Sequence, residues 1–173
     1  RKSLEKDQDY FNASFNLANA IYKQRQYSDS GTSIGSSTRF YSLINNAPTD
    51  EDLAKVYHNL GNSLVKEGKL DDAISAYNSA LQINPNDDNT IHNYFNSSLR
   101  LANEVYKKKQ YSDSETSIGS STLFNNLINN ARNDEDLAKV YHNLGNSLVK
   151  EKKLDNAIEA YKNALRINPK EED

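Results

Sequence analysis

Histidine is the first side chain to consider for chemistry, because it titrates near neutral pH and binds metals. The chain has three, His58, His92 and His142, and it has no cysteine. His58 and His142 stand in two copies of one stretch. We therefore expect them to be repeat equivalents, too far apart to form one catalytic or metal site. The prediction is scaffold histidines, with no enzyme activity, no metal and no cofactor.

Hydroxyl groups are concentrated in two serine- and threonine-rich segments, at 28–38 and 112–122. One interpretation is a pair of flexible loops that accept phosphate. The other is a helix whose small residues allow close packing, and apolar spacing favours it. We expect this helix to run from Ser28 to about Asn45. Its predicted core positions are Ile34, Phe40, Leu43 and Ile44.

Composition excludes several classes of protein. Hydrophobic residues make up 36% of the 173 residues and charged residues 26%, with a mean hydropathy of −0.88. A net charge of −3 argues against nucleic acid as a partner. No apolar run approaches the roughly 18 residues that cross a membrane. The start is not a signal peptide, and the absence of methionine suggests a cut or engineered segment. The compartment stays open, with an intracellular location favoured over secretion.

Internal repetition is the strongest signal in the chain. The stretch DEDLAKVYHNLGNSLVKE occurs at 50–67 and again, unchanged, at 134–151. Residues 27–67 and 111–151 match at 35 of 41 positions, 84 residues apart. A weaker repeat divides each 84-residue block in two. We predict one repeat domain over 1–173, with units at 7–47, 50–87, 88–131 and 134–169.

Each unit is predicted to be a pair of helices. In 53–65 the apolar residues recur at i, i+3, i+4 and i+7, which is typical of an amphipathic helix. Thr49 with Asp52 predicts its N-terminal cap, and Ser112 with Glu115 predicts a capping box in the second block. The next helix ends at Asn84-Pro85, because proline cannot continue the ladder of hydrogen bonds. The chain is predicted to be all-α.

The even units resemble the tetratricopeptide repeat (TPR) family. The resemblance is carried by Tyr57, Leu60, Gly61, Leu64, Ala73, Tyr77, Ala80 and Pro85, and again by Tyr141, Leu144, Gly145, Leu148, Ala157, Tyr161, Ala164 and Pro169. The odd units depart from the pattern, with serine and alanine in place of key aromatic and glycine residues. Their spacing is similar to the longer TPR-like class of about 42 residues, including the repeats of kinesin light chains. This resemblance implies a right-handed α-solenoid of four helix-turn-helix repeats.

Beside the apolar stripe, each first helix carries a row of polar residues at spacings of three and four. The rows are Asn12, Asn16, Asn19 and Lys23; Lys55, Asn59, Asn62 and Lys66; Asn96, Arg100, Asn103 and Lys107; and Lys139, Asn143, Asn146 and Lys150. They contain no acid, although the chain is acidic overall. An asparagine amide both donates and accepts, so such rows can satisfy a peptide backbone without selecting its side chains.

The resemblance implies that these rows line a concave groove. In the TPR family the asparagines that match Asn19, Asn62, Asn103 and Asn146 bind the backbone of an extended peptide, and basic residues hold its carboxylates. The predicted partner is therefore a protein or peptide with an extended, acidic segment. A clamp for a C-terminal carboxylate is disfavoured, because the positions where it needs lysine are occupied by Phe15, His58, Leu99 and His142. The alternative is that the rows are ordinary solvated faces of an asparagine-rich chain.

A second hypothesis is structural. The two blocks are nearly interchangeable, and the last helix, predicted over 155–167, carries Ala157, Ile158, Tyr161, Ala164 and Leu165 with no helix after it to cover them. Such a module could associate end to end with another copy and extend the repeat array.

Overall fold

The computed structural model describes residues 2–114 and 117–169, with side chains from Asp7 onward. Over these residues it has eight α-helices and no β-strand, which confirms the all-α prediction. The helices are α1 (Lys2–Lys23), α2 (Ser36–Leu43), α3 (Asp50–Glu67), α4 (Leu70–Ile83), α5 (Asp88–Lys107), α6 (Ser120–Leu127), α7 (Asp134–Lys150) and α8 (Leu154–Ile167). Contacts divide the chain into two compact units, 1–97 and 98–173.

In the first unit, α3 begins as predicted. The Thr49 hydroxyl accepts a hydrogen bond from the Asp52 backbone N–H at 3.1 Å, and three acids in the first turn complement the helix dipole. Gly68, with φ of +79°, ends the helix in the left-handed conformation. Then α4 runs to Ile83, so that the predicted stop at Asn84-Pro85 is confirmed.

The core of the first unit is formed by α1 to α4. Phe11, Phe40, Val56, Leu60 and Leu64 are all buried, so the predicted stripe of α3 does face the core. Phe15 reaches the same cluster, with its ring 5.8 Å from that of Phe40 in an edge-on arrangement. The second unit buries the counterparts Phe124, Val140 and Leu144.

The predicted long helix from Ser28 is wrong, because α2 begins only at Ser36. The backbone of 28–35 folds instead into a tight turn, in which Ser30 and Ser33 exchange backbone hydrogen bonds at 2.9 Å and Asp29 Oδ1 accepts from the Gly35 N–H at 2.8 Å. Gly35 packs on the Ser28 carbonyl so closely that a Cβ would lie 2.4 Å from it. Local side-chain and turn hydrogen bonds have competed successfully with the helix.

Two details of that prediction fail with it. Ile34 is 47% exposed and not a core residue, although Phe40 and Leu43 are buried as expected. In the second block Ser112 lies in the loop and α6 starts at Ser120 after Gly119, so Ser112 caps no helix. Its proposed partner Glu115 is outside the described residues. The close packing expected of small residues does occur, since the buried hydroxyls of Ser36 and Ser63 lie 2.9 Å apart.

Position 61 requires glycine, because the ring of Tyr77 lies against the backbone of α3 there. A Cβ at Gly61 would lie 2.5 Å from Tyr77 Cε1, and at Gly145 a Cβ would lie 2.6 Å from Tyr161 Cε1. At both positions the contact joins the backbone of one helix and the aromatic ring of the next. Tyr77 is 1% exposed, whereas Tyr161 is half-buried.

A pair of matched substitutions tests this contact. We expect Gly61→Ala to lower the free energy of unfolding by about 1–3 kcal/mol, because the buried Tyr77 ring has nowhere to move. Gly145→Ala should cost less, since the Tyr161 ring can shift toward solvent. Urea unfolding followed by circular dichroism measures both, and equal costs would contradict the ring-on-backbone explanation.

His58 belongs to the junction between α3 and α5. Its Nδ1 lies 2.6 Å from Thr90 Oγ1, and the Thr90 hydroxyl donates to Asp87 Oδ2. Because that hydroxyl proton is already committed to Asp87, His58 Nδ1 must carry the hydrogen and donate to Thr90. Burial lowers the pKa of His58, while the negative charge of Asp87 acts in the opposite direction. The geometry gives this histidine a structural role.

The lowered pKa makes stability depend on pH. In the unfolded chain histidine titrates near about 6.5, so between that value and the lower native pKa the unfolded state binds more protons. The free energy of unfolding should therefore fall as the pH drops from about 7 to about 5. His58→Asn, which can still donate to Thr90, should reduce that slope in urea titrations. A slope that the variant leaves unchanged would assign the effect to other groups.

Candidate functional site

The predicted polar rows all lie on α1, α3, α5 and α7, the first helix of each pair. The fourteen residues are Asn16, Asn19 and Lys23 on α1; Lys55, Asn59, Asn62 and Lys66 on α3; Arg100, Asn103 and Lys107 on α5; and Lys139, Asn143, Asn146 and Lys150 on α7. The cations are all exposed. Every asparagine of the set except Asn16 is half-buried, between the core stripe and solvent.

In the first unit, two of these rows are joined by a hydrogen bond between asparagines. Asn59 Nδ2 on α3 donates to Asn19 Oδ1 on α1 at 3.1 Å. Asn59 Oδ1 and Asn19 Nδ2 have no other partner among the described side chains. Together they present one acceptor and one donor, the two groups that a peptide unit needs.

The side chain of Asn62 is fixed by two hydrogen bonds to its Oδ1 atom. Asn62 Oδ1 accepts from the Tyr77 hydroxyl at 2.8 Å and from Asn93 Nδ2 at 2.9 Å. Burial raises the pKa of Tyr77, so this phenol stays protonated and remains a donor. The Asn62 NH2 group has no partner in the described part of the chain and is not among the buried polar atoms left unsatisfied there. It therefore reaches solvent as a free donor.

The second unit repeats this arrangement. Asn143 Nδ2 donates to Asn103 Oδ1 at 3.5 Å, and Asn146 Oδ1 accepts from the Tyr161 hydroxyl at 2.7 Å. The tyrosine hydroxyls were not foreseen as partners of the asparagine row. The sequence does contain a sign of this pairing, since Tyr77 and Tyr161 follow Asn62 and Asn146 by the same fifteen positions.

The cations differ in their surroundings. Lys55 pairs with Glu51 at 2.6 Å, and Lys139 pairs with Glu135 in the same way. Arg100 lies 3.1 Å from Glu104. These exposed pairs contribute little to stability, but they partly neutralise cations that were expected to face a ligand. The last-turn lysines have no acidic partner among the described residues; they are Lys23, Lys66, Lys107 and Lys150.

A cavity of 680 Å³ opens beside the row in the first unit, between α1, α3, the end of α4 and the start of α5. The predicted residues Lys55 and Asn59 line it, together with Asp50, Glu51 and Asp87. None of these three acids belongs to the predicted polar rows. At this point the groove carries mixed charge and is not uniformly basic.

The histidines are not brought together as a reactive cluster within either unit. His92 Nε2 lies 2.8 Å from Asn96 Nδ2 on its own helix, and His142 packs edge-on against Tyr161 with ring centroids 5.8 Å apart. In the described part of the chain, no group of three His, Asp or Glu side chains is placed to hold a metal ion. No helix of that part is both long and apolar enough to cross a membrane.

The chain is similar in sequence to a known repeat family and to a known protein. The family model of the tetratricopeptide repeat matches twice, at residues 54–87 and 138–171, which are α3–α4 and α7–α8 with the turns that follow. The Hsp70-Hsp90 organising protein of Plasmodium falciparum is 33% identical over 118 residues, which is 68% of this chain. The match spans only 19% of that relative's length.

Solved structures give the same fold. The TPR protein YrrB superposes with a TM-score of 0.52 at 19% identity, over 98% of this chain and 75% of that one. MamA (residues 41 to the end) from Desulfovibrio magneticus RS-1 gives a TM-score of 0.51 at 15% identity, over 94% and 78%. These likenesses are to helical solenoid repeat proteins.

Residue pattern, helix pairing, family model and structural neighbours agree. The chain belongs to the tetratricopeptide repeat family, which consists in general of non-enzymatic protein-interaction modules.

Proposed function

We propose that this protein is a protein-interaction scaffold whose first helices bind an extended, acidic peptide segment of a partner. The observation that carries the proposal is the way the half-buried asparagines are held. In both units Tyr77 or its counterpart Tyr161 occupies the oxygen of one asparagine and leaves the NH2 group free. A donor fixed in this way is preorganised to meet a peptide carbonyl.

We expect the two ends of such a peptide to lie near protein side chains of opposite charge. Near the cavity of the first unit, Asp50, Glu51 and Asp87 disfavour carboxylates. One helical turn beyond Asn62, Lys66 is exposed and has no acidic partner in the described chain. We therefore place the peptide backbone along the asparagines and its carboxylates at the last-turn lysines.

The expected affinity is moderate. Each hydrogen bond contributes about 0.5–1.5 kcal/mol net, and an exposed lysine–carboxylate pair about 0.2–1 kcal/mol. A few of each, less the cost of ordering the peptide, give a Kd of about micromolar order. The TPR protein YrrB has an unusual peptide-binding site. Its likeness to this chain extends to the fold, so the ligand has to be found by experiment.

Asn62→Asp with Asn146→Asp tests the proposal while sparing the core. The new carboxylates can still accept from Tyr77, Tyr161 and Asn93, but they cannot donate to a peptide and they repel its acids. With an array of labelled ten-residue peptides of graded acidity, we expect the best wild-type binder to lose about tenfold or more in fluorescence anisotropy. Raising the salt from about 0.05 M to about 0.5 M should also weaken binding.

Asn62→Ala with Asn146→Ala is the matched control for folding. It removes the acceptor of a buried phenol as well as the free donor, so it should also lower the melting temperature. If the aspartate pair binds peptide as tightly as the wild type, the asparagine rows are ordinary solvated faces and the proposal is wrong.

End-to-end association is a second candidate, favoured by the exposure of α8. Leu154 is 59% exposed and Ile158 51%, whereas Leu70, the α4 counterpart of Leu154, is 3% exposed within the first unit. At the other end Tyr10 on α1 is 75% exposed, although its α5 counterpart Tyr94 packs against the core of the first unit. We propose that α1 of a second copy covers α8 as the start of α5 covers α4.

Sedimentation velocity over a range of concentrations tests this candidate. We expect the average mass to rise with concentration and Ile158→Glu to keep the protein monomeric. Ile34→Glu is the control, since Ile34 is 47% exposed and lies in the 28–35 turn and not on α1 or α8. A monomer at every concentration, or association that survives Ile158→Glu, would contradict the candidate.

A further inference from the structure

The second unit contains a cavity that is much reduced in the first. Helices α6, α7 and α8 enclose 420 Å³, whereas the matching space between α2, α3 and α4 is 160 Å³. Every residue that lines the smaller cavity has its counterpart, 84 positions later, in the lining of the larger one. The two cavities are therefore one structural site in two versions.

Four of the seven equivalent lining positions differ between the two cavities, and Tyr41 to Asn125 is the one at which the side chain becomes smaller. At the other three, Asp72 to Asn156, Ser75 to Glu159 and Ser79 to Asn163, its size is kept or increased. Tyr41 in the first unit corresponds to Asn125 in the second, and this is one of only six differences between 27–67 and 111–151. Tyr41 lines the small cavity with about half of its surface covered. With the ring absent, the larger cavity extends to Thr122, Ile128 and Leu148. The larger cavity thus lies at the position where the first unit carries a tyrosine ring.

The walls of the larger cavity suit an aromatic ring with a polar edge. Its floor is apolar, formed by Tyr141, Leu144 and Ala160, of which the last two are 8% and 4% exposed. Its rim carries the Asn156 and Asn163 amides and the Glu159 carboxylate, all of which can accept from a phenol hydroxyl. Among the described residues no lysine or arginine lines it, and the one cation bonded to its rim is Arg166, which donates to Asn163 Oδ1 at 3.1 Å.

We propose that this cavity is a socket for a tyrosine side chain of a partner protein, which inserts where Tyr41 lies in the first unit. The ring buries its faces against Leu144 and Ala160 and donates its hydroxyl to the rim. None of the fourteen polar-row residues lines the socket. The inference is therefore independent of the peptide-binding proposal.

Reciprocal substitutions at the two equivalent positions provide the test. The probe is N-acetyl-tyrosinamide, followed through the leucine and isoleucine methyl signals by NMR. In the wild type we expect a saturable shift of the Leu144, Leu148 and Ile128 methyls, of millimolar affinity. Asn125→Tyr should fill the socket and weaken binding by about tenfold or more, whereas Asn125→Ala should retain it. Tyr41→Asn should create a second site that shifts the methyls of Leu60 and Leu64.

Two further probes define specificity. N-acetyl-leucinamide should bind about tenfold more weakly, because it lacks the ring and the hydroxyl, and phosphotyrosine should not bind, because Glu159 repels it. The proposal is overturned if the wild type shows no saturable shift, if Asn125→Tyr binds the probe unchanged, or if the leucine probe binds equally well. Circular dichroism of each variant excludes unfolding as the cause.

Discussion

The contact of a tyrosine ring with the backbone of the preceding helix is the interaction on which the helix pairs α3–α4 and α7–α8 depend. Tyr77 lies so close to Gly61 that only glycine fits, and its hydroxyl bonds to Asn62, the next residue along. One side chain thus closes the core between α3 and α4 and also orients a surface amide. Packing and the candidate binding face are coupled, because the same ring determines which end of the asparagine faces solvent.

This coupling gives a structural reason why the two blocks are identical at the asparagines that contact the tyrosines. A polar surface that only met water would be free to drift, whereas Asn62 and Asn146 are constrained by the phenol that each accepts from. The differences between the blocks then become informative. Tyr41 and Asn125 stand at one of the six altered positions between 27–67 and 111–151, and the cavity beside Asn125 is larger than the one beside Tyr41.

The cations on the same helices differ in whether they form ion pairs. Lys55, Arg100 and Lys139 are partnered by acids one turn away, whereas the lysines of the last turns have no acidic partner in the described part of the chain. Those lysines also lie at the negative ends of the helix dipoles, which stabilises them there. Under the proposed function, such a surface would select ligands by where the negative charge falls along the peptide as well as by total charge.

Local rules and the repeat pattern were enough to predict the helices α3, α4, α7 and α8, the cap at Thr49, the stop after Ile83 and the buried stripe of α3. They were also enough to predict the family, because its pattern includes a glycine and a tyrosine at the fixed spacing that brings the tyrosine ring onto the glycine. The same rules failed at 28–35, because the turn there is stabilised by Asp29, by the serine backbone and by a glycine packed on a carbonyl six to seven residues away in the chain.

The sequence by itself determined the class of fold, the helix pairs and the residues that share a helix face, because these depend on periodicity and on neighbours within a few positions. Only the tertiary structure decided which amide atoms stay free and that Asp87 faces the same cavity as Lys55. Those properties depend on partners 15 to 40 positions distant, as in the bonds of Asn62 and Asn59. A hydrogen bond or an open socket exists only once packing has brought such residues within a few ångströms.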